Sequence, residues 1–194
     1  MAQKKLGILL GIFLMTLIVN STIAETIPGS MKGNSPFPSY GTGKIIVRIY
    51  TNYFCPPCRA AEAELEPLLL DLVRAKKITA AFVDTPNNKD SQYYARYFLY
   101  AINKRNDFHY ALQARSALFA AAASKINNKE AMEEYLSAKG IAFTPFDVKP
   151  VTTKFNGLLA EDKVTATPTC VIIKDGKSEK RVGSEDILKA LKEL

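Results

Sequence analysis

The sequence predicts an α/β fold in which a helical block interrupts an alternating core. Three observations carry this reading. Two β-branched, largely apolar runs, "KIIVRIYT" (Lys44–Thr51) and "ITAAFVDTP" (from Ile78), enclose the helix-forming stretch "RAAEAELEPLLLDLVRAKK". Residues 89–140 then show helical spacing with no strand pattern. The chain closes on helix, strand, Asp175-Gly176 turn, strand and helix. Runs apolar on both faces are those of buried strands, and strand–helix–strand over about forty residues implies a parallel pair.

The first segment has the form of a leader. A short basic start holding Lys4 and Lys5 precedes an apolar run of 14 residues from Leu6 to Val19, and Thr22 and Ala24 stand at the spacing that a signal peptidase reads. Cleavage is expected after Ala24, so residues 1–24 are assigned as a signal peptide. The alternative is a retained anchor, but a spanning helix needs about 20 apolar residues. No cysteine lies near the cut, which disfavours a lipoprotein anchor. Residues 25–43 are rich in Gly, Pro and Ser and lack a period, so they are expected to form an N-terminal arm.

Within the core, the helix after the cysteines carries Pro67, a candidate kink. Tyr93, Tyr97 and Tyr100 recur with Ala101 at helical spacing and read as packing. "VKPVTTKFNGLLAEDKV" reads as a further helix. In the last helix Ser184 is the candidate N-cap, and Ile187, Leu188, Leu191 and Leu194 form its apolar face. The expected organisation is residues 44–88 and 141–194 as one α/β domain, with 89–140 as an inserted helical domain.

Charge and composition exclude several functions. The chain holds 26 basic and 19 acidic residues, a net charge of +7, and loss of Lys4 and Lys5 with the leader lowers it to about +5. The basic residues are scattered among acids without an arginine patch, so no nucleic-acid partner is expected. No nucleophile elbow or Gly-rich phosphate loop appears, and the single histidine, His109, lies mid-helix. Cys55, Cys58 and Cys170 make an odd set in an exported chain large enough to bury a core unaided. The close pair is therefore not there mainly for stability.

Cys55 and Cys58 stand at a strand-to-helix junction in "TNYFCPPCRAAEAELEP". Free backbone N–H groups and the positive end of the helix dipole favour a thiolate at Cys55. Cys58, one turn on, is placed to resolve a mixed disulfide. So short a loop adds little chain-entropy stabilisation, which weakens a purely structural bridge. "TATPTCVI" places Thr167-Pro168 just before an apolar strand.

Taken together, "YFCPPC", the Thr167-Pro168 pair, the βαβ opening and the αββα ending resemble the thioredoxin-fold thiol–disulfide oxidoreductases. The resemblance is to their DsbA-like branch, where a helical domain is inserted in the thioredoxin fold, a central mixed sheet flanked by helices. It covers about residues 40 to 194. It implies Cys55 as nucleophile, Cys58 as resolving thiol, a cis Pro168 against them, and Thr167 offering its backbone to a substrate peptide. Tyr53 and Phe54 are candidate apolar rim residues. The implied partners are cysteine-containing protein substrates and a membrane or soluble redox partner, with the protein acting as a periplasmic or otherwise extracytoplasmic monomer. No organic cofactor and no metal is implied, since the Cys55–Cys58 disulfide itself carries two electrons.

Three departures bear on the chemistry. Pro56 and Pro57 replace a dipeptide that usually holds histidine, removing a charge and two N–H donors near the sulfur, so a milder oxidant is expected. Relatives often carry a buried acid six positions before the first cysteine, where this chain has Ile49, with Arg48 facing the other way. Cys170 is additional: either a buried inert thiol or a third ligand to copper or zinc beside Cys55 and Cys58. A disulfide donor is favoured. The alternatives are a reductase or isomerase, disfavoured as isomerase by the absence of a dimerisation segment, or a thiolate metal-binding protein.

Overall fold

The computed structural model describes residues 26–32 and 35–194; the expected leader lies outside them. Six strands form one mixed sheet among the described residues: β1 (Gly29–Lys32), β2 (Ser35–Tyr40), β3 (Ile45–Thr51), β4 (Ile78–Asp84), β5 (Thr169–Lys174) and β6 (Lys177–Val182). Their order is β1-β2-β4-β3-β5-β6. β3 runs parallel to β4, in register from Ile45↔Ile78 to Thr51↔Asp84, and antiparallel to β5. The expected thioredoxin fold, a mixed sheet with helices packed on it, is the fold observed.

β4 is central, and its residues Ile78, Ala80, Phe82 and Val83 are all but inaccessible. That is why it lacks the alternation of a half-exposed strand. α1 (Pro56–Arg74) supplies the crossover between β3 and β4 and continues through Pro67. It buries Cys58, Ala61, Leu65, Leu69, Leu72 and Val73, the helical spacing of one apolar stripe.

The segment read as an arm proves to be part of the sheet. β1 and β2 pair antiparallel, and Ser39 and Tyr40 pair with Ala81 and Ala80 of β4. Pro36 and Pro38 hid this, since proline cannot donate to a ladder and is confined to edges, and β2 meets β4 only at its end. Tyr40 fixes the attachment: its ring stacks on Phe108 at 5.1 Å and its hydroxyl donates to Asn106 Oδ1 at 3.1 Å. Gly41 follows at φ +99°, where a Cβ would stand 2.7 Å from the carbonyl oxygen of Ile78.

Three helices follow β4 before the chain returns to the sheet: α2 (Lys89–Lys104), α3 (Phe108–Ala123) and α4 (Lys129–Ala138). Each starts on a side-chain cap, from Asn88, Asp107 and Asn128 respectively, which explains the Asn and Asp at the joins. α3 is buried on nearly all sides, and Arg115 is the one charged residue among its buried positions. The tyrosines of α2 pack edge to face, 5.0 Å between Tyr93 and Tyr97 and 5.8 Å between Tyr97 and Tyr100.

α5 (Lys149–Glu161) returns the chain to the sheet, and the β5–β6 hairpin turns at Asp175 and Gly176, both with positive φ. α6 (Ser184–Lys192) closes the fold with Ile187, Leu188 and Leu191 buried. Its N-cap is Gly183, not Ser184. The serine is the first helical residue, and its hydroxyl donates instead to the carbonyl of Pro57 at 3.0 Å. That bond ties α6 to the cysteine loop.

Candidate active site

Cys55 is the N-cap of α1, with extended backbone (φ −85°, ψ 113°), and Pro56 and Pro57 occupy the first turn. Prolines fit there because first-turn N–H groups have no intrahelical acceptor. The helix's first bond runs from Arg59 N–H to the Cys55 carbonyl, 3.1 Å. Cys55 is half-buried, whereas Cys58 is inaccessible and both prolines are exposed. Burial, and then the hydrogen bond with Cys55, hold the Cys58 thiol well above its ordinary pKa; backbone at Asn52 and the Thr167 hydrogen bond oppose this.

The Thr167–Pro168 peptide is cis. The Thr167 carbonyl accepts from Cys55 Sγ at 3.3 Å, so the turn before β5 touches the exposed sulfur. This turn is held from several sides. Thr169 Oγ1 donates to the Ala166 carbonyl at 2.8 Å, and Gly183 N–H to the Pro168 carbonyl at 3.0 Å. At its start, Lys180 Nζ donates to the Lys163 carbonyl at 2.8 Å. Just before it, the Asp162 carboxylate accepts from Arg48 Nη1 at 2.9 Å and 3.1 Å and from the Tyr50 hydroxyl.

Tyr53 is not a rim residue. It is 1% exposed, with its ring 4.9 Å from Phe119 and 5.9 Å from Tyr94, because the loop turns it into the helical layer. Phe54 does face outward, 39% exposed, and lies edge-on to Tyr94 at 4.9 Å. Thr167 is half-buried and Pro168 buried beneath it. Ile49 is fully buried opposite Cys170 in the β3–β5 register. Among the described residues no three His, Cys, Asp or Glu side chains gather as a metal site. Burial pushes the Cys170 thiol up to about 12.

Several residues of the site were not marked in the sequence. Asn52 shapes the cysteine loop: its carbonyl accepts from Cys55 N–H at 3.0 Å, its Oδ1 from Phe54 N–H at 2.9 Å, and its Nδ2 donates to the Thr85 carbonyl at 3.0 Å. Behind the loop lies a buried charge cluster. Arg115, from α3, donates through Nε and Nη2 to both oxygens of Glu62 on α1 at 2.9 Å, and through Nη2 to Thr51 Oγ1 at 3.3 Å. Its guanidinium lies 4.1 Å from the Phe82 ring centroid, and Asp84 Oδ1 is 4.0 Å from Nη1, beyond hydrogen-bond range. Burial pushes the Asp84 carboxyl up to about 7, against the opposing pull of Arg115. The signal available in the sequence was a lone arginine inside an otherwise apolar helix, since a buried charge demands a partner.

A family model described as thioredoxin matches residues 42–193, including both cysteines and the cis-proline turn. The chain belongs to the thioredoxin family. Several solved structures share its fold. A periplasmic thioredoxin-like protein from Salmonella enterica serovar Typhimurium is 20% identical, with 80% of this chain and 87% of that chain covered at a TM-score of 0.60. Pseudomonas aeruginosa DsbA2 is 18% identical over 80% and 92% of the two chains, TM-score 0.55. The catalytic domain of Proteus mirabilis ScsC is 16% identical over 84% and 89%, TM-score 0.57. No curated protein matches the chain significantly. No helix among the described residues is long and apolar enough to cross a membrane.

Proposed function

We propose that this thioredoxin-family protein is an exported thiol–disulfide oxidoreductase that donates its Cys55–Cys58 disulfide to cysteine-containing proteins. The supporting observation is the pairing of a half-buried Cys55 at a helix N-terminus with an inaccessible Cys58 one turn on, under the Thr167 carbonyl. Only Cys55 is open to attack. A substrate thiolate attacks Cys55 Sγ, forming a substrate–Cys55 disulfide, and Cys58 leaves as a thiolate that takes up a proton. A second substrate thiolate then attacks the substrate's own sulfur, freeing Cys55. Two electrons pass from two substrate thiols to the cysteine pair, and a redox partner reoxidises it.

The donor is a mild one. A thiol of raised pKa is a poorer leaving group than an ordinary one, which slows the departure of Cys58. Pro56 and Pro57 add no donor to the reduced sulfurs. Residues 1–24 act as the export signal, in keeping with the periplasmic thioredoxin-like relative. The test is the reduction potential of the Cys55–Cys58 couple, measured beside a disulfide-donation assay. A value between that of thioredoxin (about −270 mV) and that of strong oxidants such as DsbA (about −120 mV) is expected. A value at or below that of thioredoxin would instead assign a reductase.

A further inference from the structure

Between the end of β3 and the first turn of α1 the chain reads "NYFCPPC". Pro56 and Pro57 have no backbone donor, and those of Phe54 and Cys55 both go to Asn52. Phe54 N–H donates to Asn52 Oδ1 at 2.9 Å, and Cys55 N–H to the Asn52 carbonyl at 3.0 Å. A side chain that accepts from two residues on, and a carbonyl that accepts from three residues on, close an Asx-turn within a β-turn. The turn sets Cys55 as N-cap in extended backbone. The helix end, with the Cys58 N–H, is then what can stabilise its thiolate. That effect falls off within one turn, so it depends on where the N-cap is held.

The far end of the Asn52 side chain is fixed to residues 85–88, the loop that leads into the helical insertion. Nδ2 donates to the Thr85 carbonyl at 3.0 Å and to Asn87 Oδ1 at 3.2 Å. This loop is itself held at both ends. Thr85 N–H donates to the Thr51 carbonyl at 2.8 Å. Asn87 N–H and Asn88 N–H donate to Ser91 Oγ at 3.0 Å and 3.1 Å, in the capping box that opens α2. Asn52 is 6% exposed, so both amide protons and an oxygen lone pair are used within the protein. A side chain lacking them would leave the Phe54 N–H without its acceptor and the Thr85 carbonyl without this donor. Asn52 also meets the resolving thiol, since its backbone opposes the upward shift of Cys58.

We propose that Asn52 is a positioning residue for thiol–disulfide exchange, holding both cysteines at the end of α1 by tying their turn to the loop that enters the helical insertion. The inference rests on exchange at Cys55 and adds the part that fixes its geometry.

The test follows alkylation of Cys55 by iodoacetamide across pH in the reduced, full mature protein. The probe is small and neutral and Cys58 is inaccessible, so the rate reports the Cys55 thiolate. Exchange with oxidised glutathione at neutral pH is measured beside it. Asn52→Ala removes the side-chain acceptor and both donors. Asn52→Ser keeps a hydroxyl that can close the turn but is one atom too short for Thr85 and Asn87. Asn87→Ala removes one acceptor of Nδ2 and leaves the cysteine turn untouched. Circular dichroism shows which variants are folded at the temperature used.

In Asn52→Ala the midpoint of the alkylation profile is expected to move up by about one pH unit, and exchange to slow about tenfold, the equivalent of one buried hydrogen bond. Asn52→Ser and Asn87→Ala should move both readings the same way by less, and they decide the matter if Asn52→Ala does not fold. A lowered unfolding midpoint with the parent's profile and rate in folded Asn52→Ala would overturn the positioning role while exchange at Cys55 stands. Parent-like readings in both Asn52→Ser and Asn87→Ala would overturn the tie to the insertion. A parent protein that does not exchange with oxidised glutathione would overturn exchange itself.

Discussion

Cys55 Sγ donates to the carbonyl oxygen of Thr167 at 3.3 Å, joining the cysteine loop to a turn 112 residues later in the chain. Asp162 stands before that turn and is tied to β3 by Arg48 and Tyr50. The Asp162 side chain is 6% exposed, so its partners cannot readily be replaced by water. Arg48→Met is expected to lower stability by about 1–3 kcal/mol, the cost of leaving a buried acceptor short of a donor. It should also slow exchange at Cys55 by loosening the turn. Urea unfolding and a thiol-exchange rate on the same sample check both effects.

Cys58→Ala removes the resolving thiol and leaves Cys55 in place. Mixed disulfides with client proteins are expected to accumulate, visible as higher-mass species on non-reducing gels that collapse on reduction. Cys55→Ala should give none, because Cys58 is inaccessible to a protein substrate.

Asp84 makes stability pH-dependent in a definite direction. Its folded pKa of about 7 lies above the value near 3.9 of an unfolded aspartate, so folding takes up a proton between the two. Stability is therefore expected to fall as pH rises from about 4 to about 7, by an amount on the order of a few kcal/mol, and to level off above. Asp84→Asn should flatten that slope and be more stable than the parent at pH 8. Chemical denaturation across this range provides the measurement. A slope unchanged in Asp84→Asn would assign the proton uptake elsewhere.

The Arg115–Glu62 pair couples α3 to the helix that carries the cysteines. Arg115→Met leaves Glu62 buried without its counter-ion and is expected to cost about 3–5 kcal/mol. In the double variant Arg115→Met, Glu62→Leu, no charge is stranded at this pair, and most of the loss should be recovered. A double-mutant cycle by denaturant unfolding separates the two contributions.

Pro57→His restores a donor and positive charge beside the sulfurs. The Cys55–Cys58 couple is expected to become more oxidising by tens of millivolts, roughly 1.4 kcal/mol for each 30 mV. Equilibration of the variant and the parent with a glutathione buffer reads the difference.

Much of this architecture was legible in the sequence because each core element has a plain signature. β3 and β4 are continuous apolar runs, the Asp175-Gly176 turn announces the hairpin, and Cys55 and Cys58 sit at a strand-to-helix junction. What escaped notice depended on contacts distant in sequence. β2 joins the core through a two-residue pairing with β4 and through Tyr40 against Phe108, and its prolines mask the strand. Tyr53 and Phe54 are adjacent aromatics with nothing local to tell them apart, yet one points into the helical layer and the other outward. Ser184 has the chemistry of a cap, but Gly183 takes that place with φ +89° while the serine reaches Pro57. The charge cluster draws its members from β4, α1 and α3, and no single stretch of chain shows it.

The most direct test of thiol–disulfide exchange at Cys55 and Cys58 is disulfide transfer from the oxidised, purified protein to a reduced, unfolded substrate, with thiols counted on both. The expected result is the loss of two substrate thiols for each pair gained at Cys55 and Cys58, abolished by Cys55→Ala. Substrate thiols that persist while the protein stays oxidised would contradict a disulfide donor at this site.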